Sequence, residues 1–142
     1  MLSSCLVFVL LFTQSLETAS DELQAQVERL ITRLSDSPVP GLWNHARELA
    51  ALGDDAVPAI SEGLKSASAQ VRLGCAKALF DLNEMEKAEP VLREIADSKA
   101  AVPLRSAALF LLRDSLEAGL GPVVKRIAEN DPEPLIRIDA AR

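Results

Sequence analysis

The chain has 142 residues, the size of a single domain with one hydrophobic core. Apolar residues make up 49% of it but aromatic residues only 4%, and tyrosine is absent, so the core must be built from Ala, Leu, Val and Ile, as is typical of helical proteins. The net charge of -6 and the dispersed Lys and Arg residues argue against a nucleic-acid binder, which needs clustered cations to neutralise phosphates.

The first twenty residues differ from the rest of the chain. Every residue from Cys5 to Phe12 is apolar, and the first charge is Glu17. Such a run is too short to cross about 30 Å of hydrocarbon, but it is typical of the centre of a signal peptide. We interpret residues 1–20 as a signal peptide cleaved after Ser15 or Ser20, and expect an exported protein, periplasmic or secreted, without a stable membrane anchor. The alternative is an N-terminal helix packed on the domain.

The cysteines are compatible with export. If the leader is removed, Cys75 is the only cysteine left, so no intramolecular disulfide can form. Cys75 lies on the small apolar stripe of "VRLGCAKALFDL", which indicates a buried small hydrophobe and not a reactive thiol.

The strongest pattern is internal repetition with a period of about 32 residues. Three prolines recur at intervals of 32, and three arginines recur at intervals of 33 and 32: Pro58, Pro90, Pro122, Arg72, Arg105 and Arg137. Proline suits the first turn of a helix, so each proline predicts the start of a first helix. A second helix then opens with an apolar residue and Arg, and the pattern predicts these helices from Val71 to about Leu82, from Leu104 to about Ser115, and from Ile136.

A diverged unit precedes these three. Its apolar positions match those of the following unit at an offset of 30 residues, as the pairs Leu30 and Ile60 or Leu49 and Leu79 illustrate. We expect the domain to cover residues 21–142, with Ser20 or Asp21 as the first N-cap. A period of this length with two helices per unit predicts an α-solenoid.

The phrases "AVPAISEGLKSASAQVRLGCAKALFDL" and "GPVVKRIAENDPEPLIRIDAAR" resemble HEAT repeats, in particular the short HEAT-like type of phycobilin lyases. The resemblance implies an all-α, right-handed α–α superhelix of about four helix pairs, and a function as a protein-binding scaffold. It also implies a ladder of Asp–Arg contacts between repeats, for which the candidates are Arg72, Arg105, Asp131 and Arg137. Only Asp131, six residues before Arg137, occupies the expected acidic position.

We find no catalytic motif and expect no enzymatic activity, no cofactor and no metal site. The single histidine, His45, has no second histidine for a zinc site, and the chain lacks the nucleophile turn that a Ser–His–Asp triad would need. The acidic run "NEMEKAE" from Asn83 is interpreted as a solvated turn between repeats, because it lacks the spacing of a calcium loop.

The second helices should line the concave face on which a solenoid binds its partner. Six positions are expected to be exposed there: Leu73, Lys77, Asp81, Ser106, Phe110 and Asp114. Phe110 is the most partner-like of them, and its alternative is packing under the following helix. Trp43 is interpreted as filling the end of the core, with a role as a partner anchor as the alternative.

Two function hypotheses follow. The first is a non-catalytic interaction module for another protein. The second is an accessory domain, either a chromophore-lyase-like helper or the leading segment of a longer exported enzyme. One histidine and no tyrosine are a poor lining for a tetrapyrrole pocket, so the first hypothesis is preferred.

The final repeat is shorter than the others, because only seven residues run from Ile136 to Arg142. We expect this helix to fray and its apolar residues to have no following repeat to cover them: Val123, Val124, Ile127, Ile136 and Ile138. End-to-end self-association through this end is the corresponding prediction.

Overall fold

The computed structural model describes residues 2–115 and 121–142, with side chains for Val7, residues 9–114 and 121–142. Eight α-helices follow one another in this part of the chain: α1 (Leu2–Asp36), α2 (Val39–Ala50), α3 (Val57–Gly63), α4 (Ala69–Asp81), α5 (Met85–Ala96), α6 (Val102–Ser115), α7 (Pro122–Asn130) and α8 (Pro134–Ala141). A 3-10 turn, Asp54–Ala56, precedes α3.

The helices form four consecutive pairs, α1–α2, α3–α4, α5–α6 and α7–α8, and the two members of each pair pack together. Each pair also packs on the next one, chiefly through α2 with α4, α4 with α5, and α6 with α8. The described residues contain no strand, and the prediction of an all-α solenoid of about four helix pairs is confirmed.

α4 is the centre of the packing. It contacts α1, α2, α3, α5 and α6, so nearly every face of it is covered. This explains why small residues fill the centre of α4, with Gly74, Cys75, Ala76 and Ala78 buried among larger neighbours. Gly74 allows α1 to approach, because a Cβ there would lie 2.5 Å from Cδ2 of Leu34.

The prolines mark helix starts in two of three units. Pro58 and Pro122 lie in the first turns of α3 and α7, as predicted. Pro90 instead lies inside α5, which begins at Met85, so its predicted role is wrong. Asn83 adopts a left-handed conformation with φ 61°. This conformation reverses the chain directly after α4, so α5 begins before Pro90.

The same early start corrects the interpretation of the acidic run from Asn83. Only its first two residues form the turn, and the remainder lies on the first turns of α5. Its charges are paired locally, Lys87 with Glu84 and Glu89 with Arg93. These pairs lie on one helix and its cap, so the run is a solvated helix surface.

α1 is one continuous helix whose two halves have different environments. Val7 and residues 9–22 are exposed, and the hydroxyls of Thr13 and Thr18 donate only to carbonyls of the same helix. Among the side chains that the structure describes in α1, packing on the core begins at Leu23, and Val27 is the first to be fully buried. The N-cap predicted at Ser20 or Asp21 is absent, because helix-compatible residues continue the helix through this point.

The last pair covers more of its apolar surface than the sequence predicts. Val124, Ile127 and Ile136 are buried and Val123 is half-buried, so the expectation that they lie uncovered is wrong. The reason is that α8 folds back on both α7 and α6. Only Ile138 of the five is exposed, and Leu135 beside it is exposed as well. End-to-end association through this end stays a prediction.

Candidate functional site

A groove of about 450 Å³ runs between α2, α6 and α8, the second helices of three pairs. α2 and α6 contact each other although α4 lies between them along the layer, so this layer curves inward and forms the concave face. The apolar part of the groove lining is contributed by Val39, Trp43, Pro103, Ala107, Leu109 and Phe110.

Phe110 is the most exposed aromatic residue of the groove. Its exposed fraction is 55%, whereas its neighbours Leu109 and Leu111 on α6 are buried. The guanidinium carbon of Arg113, one helical turn further along, lies 5.3 Å from the centre of the phenyl ring. The ring and the cation therefore form one combined apolar and positively charged surface.

Trp43 lies on the α2 side of the groove and is half-buried. Its ring packs against the core, as interpreted from the sequence, and it also lines the groove. A role as a partner anchor stays a prediction. The ammonium of Lys77 on α4 lies 6.0 Å from the Trp43 ring and 5.8 Å from that of Phe80. Lys77 is also paired with Asp81 at 2.6 Å, so the cation is neutralised there.

The α8 side of the groove is polar. The Ser106 hydroxyl donates a hydrogen bond to Asp139 Oδ2 at 2.6 Å, which ties α6 to α8. Arg142 approaches the other carboxylate oxygen of Asp139 at 3.9 Å. Both carboxylate oxygens of Asp139 therefore have a partner in the wall of the groove.

The candidate ladder residues lie at the opposite end of the pairs, at the turns between first and second helices. Arg105 is buried and donates a hydrogen bond to the Ala96 carbonyl at 3.0 Å. Its two terminal nitrogens bind both carboxylate oxygens of Asp131 in the turn of the following unit, one of them at 3.2 Å. This contact joins the third and fourth helix pairs.

Arg72 and Arg137 hold their own turns together. Arg72 donates to the Ser66 carbonyl at 2.8 Å and Arg137 donates to the Asp131 carbonyl at 2.6 Å, each six residues back along the chain. Arg72 also lies 3.6 Å from Glu94 of the next pair. The recurrent arginine therefore closes the turn inside a unit, and it also reaches an acid of the next unit in two cases, Arg72 with Glu94 and Arg105 with Asp131.

The sequence profile described as HEAT repeats matches residues 27–113. The match covers more than half of the chain, and it spans α2 to α5 together with parts of α1 and α6. This chain belongs to the HEAT-repeat family. HEAT repeats typically mediate contacts between proteins, and the family is generally non-catalytic. Comparisons with curated proteins and with solved structures returned no match.

The HEAT-repeat chain places the six predicted concave residues in four different environments. Ser106 and Phe110 line the groove, whereas Lys77 and Asp81 pair with each other beside it. Asp114 is exposed on α6. The expected exposure of Leu73 is wrong: it is fully buried, because five other helices surround α4.

Several groove residues of this HEAT-repeat protein were not predicted. Val39, Pro103, Arg113 and Asp139 all line the groove. Pro103 and Arg113 follow the helical spacing of Ser106 and Phe110, so the α6 face could have been extended to them from the sequence. Val39 and Asp139 could not, because their proximity to α6 depends on how α2 and α8 cross it.

Asp131 has an altered titration behaviour. The hydrogen bond from Arg105 lowers the pKa of Asp131 below its ordinary value, partial burial opposes this, and the backbone N–H of Glu133 and the charge of Arg137 support it. Burial acts on Cys75 in the other direction and raises the pKa of its thiol to about 12. Cys75 is therefore protonated at neutral pH.

The described part of the chain contains no cluster of three His, Cys, Asp or Glu residues that could hold a metal ion. His45 lies beside Glu48, with Nδ1 and a carboxylate oxygen 3.7 Å apart. Among the described residues, no helix combines the length and apolarity that crossing a membrane requires.

Proposed function

We propose that this chain is a non-catalytic scaffold that binds another protein in the groove between α2, α6 and α8. The observation that carries the proposal is the exposed ring of Phe110 in a concave, largely apolar groove. Aromatic residues in pockets of this kind are the usual anchors of protein interfaces. Membership of the HEAT-repeat family supports the proposal, since such repeats typically mediate protein contacts.

Binding of a partner would account for the exposure of Phe110. A large apolar side chain in water is unfavourable by about 25 cal/mol per Å² of its apolar surface, so the exposed ring supports a surface used in binding. Ser106 is fixed to Asp139 one turn away, which holds α6 and α8 in register around the ring. The groove is thus formed before a partner arrives.

The non-catalytic part of the proposal rests on the available nucleophiles and bases. The chain has one histidine, and the one cysteine beyond residue 20 is buried with a raised pKa. A protonated, buried thiol is a poor nucleophile.

Export is the second part of the proposal. Residues 1–20 would act as a signal peptide, and their removal is supported by the exposure of every side chain that is described in this segment, Val7 and residues 9–20. The segment exposes several large apolar side chains to solvent: Val7, Val9, Leu10, Leu11, Phe12 and Leu16. A leader recognised by the export machinery needs this apolar surface, and the folded domain does not.

Site-specific crosslinking tests the binding groove. A photo-reactive phenylalanine analogue would replace Phe110 in one variant and Leu135 in a second, because the two side chains are equally exposed at 55% and Leu135 does not line the groove. We expect one protein to crosslink at position 110 and not at 135. The captured protein, once purified, should bind the chain with an affinity that Phe110→Ala lowers at least about tenfold and Leu135→Ala leaves unchanged.

Equal capture at both positions, or a purified partner whose affinity does not change with Phe110→Ala, would refute the groove as the binding site.

Export is tested separately by fusing residues 1–20 to a reporter enzyme that is active only outside the cytoplasm. The fusion should be active, and the full chain, purified after export, should begin near Asp21 or Leu16. Purified protein that retains Met1 would contradict cleavage.

A further inference from the structure

The charges of the groove differ in sign from the charge of the whole chain. The chain carries a net charge of -6, yet the groove is lined by Arg113 and Arg142 and by a single acid, Asp139. Cations around an apolar groove favour a negatively charged partner there, although the protein as a whole is acidic.

Asp139 is not free to bind a positively charged partner. Its Oδ2 accepts the Ser106 hydroxyl at 2.6 Å, and its Oδ1 faces Arg142 at 3.9 Å. A basic partner would have to compete with both contacts, so the acid does not set the charge preference of the groove.

Arg113 is placed differently. It is exposed and forms no ion pair with any residue that the structure describes, and its guanidinium lies against the Phe110 ring. The ring limits the directions that the side chain can take, while the planar donor group stays open to solvent. A carboxylate placed beside an apolar group on the ring would meet this guanidinium directly.

We infer that the occupant of the groove is a protein segment in which a large apolar residue is accompanied by carboxylates. The apolar residue packs against Phe110 and Trp43, and the carboxylate pairs with Arg113. This inference rests on the proposed function and adds the chemistry of the partner to it.

Three fluorescent peptides of about twelve residues test the inference, with Leu and Phe alternating with Glu in the first, with Lys in the second and with Ser in the third. Their affinities would be measured by fluorescence anisotropy at low and high salt. We expect the Glu peptide to bind at least about tenfold more tightly than the Lys peptide, with the difference shrinking at high salt because exposed charges are screened.

Charge reversal provides the matched variants. Arg113→Glu should weaken the Glu peptide about tenfold and strengthen the Lys peptide, whereas Arg29→Glu on the outer helix α1 changes the net charge equally and should alter neither. Arg113→Gln should give an intermediate affinity. Circular dichroism melts would verify that the variants are folded.

Two outcomes overturn the inference and separate it from the proposed function. If the Glu and Lys peptides bind equally and Phe110→Ala abolishes both, the groove binds a partner but has no preference for acid. If Arg113→Glu and Arg29→Glu weaken the Glu peptide equally, the effect is one of net charge only. The inference is also refuted if no peptide shows binding that depends on Phe110. The crosslinking experiment then tests independently whether a protein binds in the groove.

Discussion

At the scale of single residues, Gly63 and Cys75 share one contact between α3 and α4. A Cβ built at Gly63 would lie 2.4 Å from the Cys75 sulfur and 3.1 Å from Cδ1 of Ile31. The sequence indicates that Cys75 is a buried small hydrophobe, and the structure adds that its sulfur occupies the space a larger residue at 63 would need.

Gly63→Ala should therefore destabilise the protein by about 1–3 kcal/mol through overpacking. Cys75→Ala alone should cost about 1 kcal/mol for the lost sulfur. In the double variant the new methyl group takes the space of the sulfur, so its free energy of unfolding should exceed the additive value by about 1 kcal/mol.

Urea denaturation of the four proteins measures this coupling. Gly41→Ala is the control, since a Cβ there meets its nearest neighbour at an ordinary 3.5 Å and the substitution should be neutral or stabilising. Strictly additive effects at positions 63 and 75 would show that the two residues do not share this space.

The second prediction concerns the pair of Arg105 and Asp131. The hydrogen bond from Arg105 lowers the pKa of Asp131 in the folded state. A lowered pKa means that the folded protein binds the proton less readily than the unfolded chain. The pair therefore stabilises the fold above the unfolded pKa of about 3.9, and this stabilisation is lost as the pH falls toward the folded pKa.

Asp131→Asn should lower the free energy of unfolding by about 2 kcal/mol at pH 7, because a hydrogen-bonded charge in a covered position is lost. The difference from the wild type should shrink below about pH 4. Asp97→Asn, which affects the exposed pair with Arg126, should cost less than about 1 kcal/mol. Unfolding curves measured between neutral and acid pH test this, and a difference that persists undiminished at low pH would contradict it.

At the scale of elements, Gln70 attaches the end of α1 to the start of α4. Its amide nitrogen donates to the Leu34 carbonyl at 2.7 Å and also to the Ser37 carbonyl. These are carbonyls at and after the last turn of α1, where the helix itself supplies no N–H donor for them. A side chain from another repeat therefore caps α1.

Gln70→Glu should destabilise the protein by about 1–2 kcal/mol, because a carboxylate cannot donate to these carbonyls and faces their partial negative charge. Gln70→Ala should be milder, since it adds no charge. The penalty of Gln70→Glu should decrease below about pH 4, where the side chain is protonated and can donate again. Thermal melts at neutral and acid pH measure this, and a Glu variant as stable as the wild type would refute the cap.

α1 gives the next prediction at this scale. A chain that begins at Asp21 lacks none of the described side chains that pack on the core, whereas one that begins at Glu28 lacks Leu23 and the fully buried Val27. We expect the first to melt within about 3 °C of the full chain and the second to lose about 2–4 kcal/mol, roughly 10 °C or more in this size range. A large loss of stability in the chain from Asp21 would show that the exposed half of α1 contributes to the fold.

At the scale of the whole molecule, stability should not be uniform along the solenoid. Repeats interact only with their neighbours, so a central helix is coupled to more of the molecule than a terminal one. α4 packs on five helices, whereas the principal contacts of α8 are with α6 and α7.

Leu79→Ala in α4 and Ile136→Ala in α8 compare these positions, because both side chains are fully buried. Each should cost about 2–5 kcal/mol locally. Hydrogen exchange should rise in α1 to α6 for Leu79→Ala but only in α7 and α8 for Ile136→Ala. An equal rise along the whole chain in both variants would mean that the molecule unfolds as one unit.

The sequence alone predicts the repeat, the number of helix pairs, the starts of α3 and α7 at their prolines, and the starts of α4, α6 and α8 to within two residues. These features depend on local chemistry, namely proline in the first turns, small residues at helix centres and a fixed apolar period, and each is read within one unit of about 32 residues. Pro90 shows the limit of this local reading, because the left-handed conformation of Asn83 several residues earlier decided where α5 begins.

Only the tertiary structure decides which faces remain exposed. Leu73 and Phe110 are both apolar residues on second helices, yet Leu73 is fully buried in α4, on which five helices pack, and a groove opens over Phe110. The same holds for Ser106 and Asp139, which meet across 33 positions of sequence because α6 and α8 cross. Periodicity determines which residues share a face of one helix, whereas the packing angles between helices determine what that face meets.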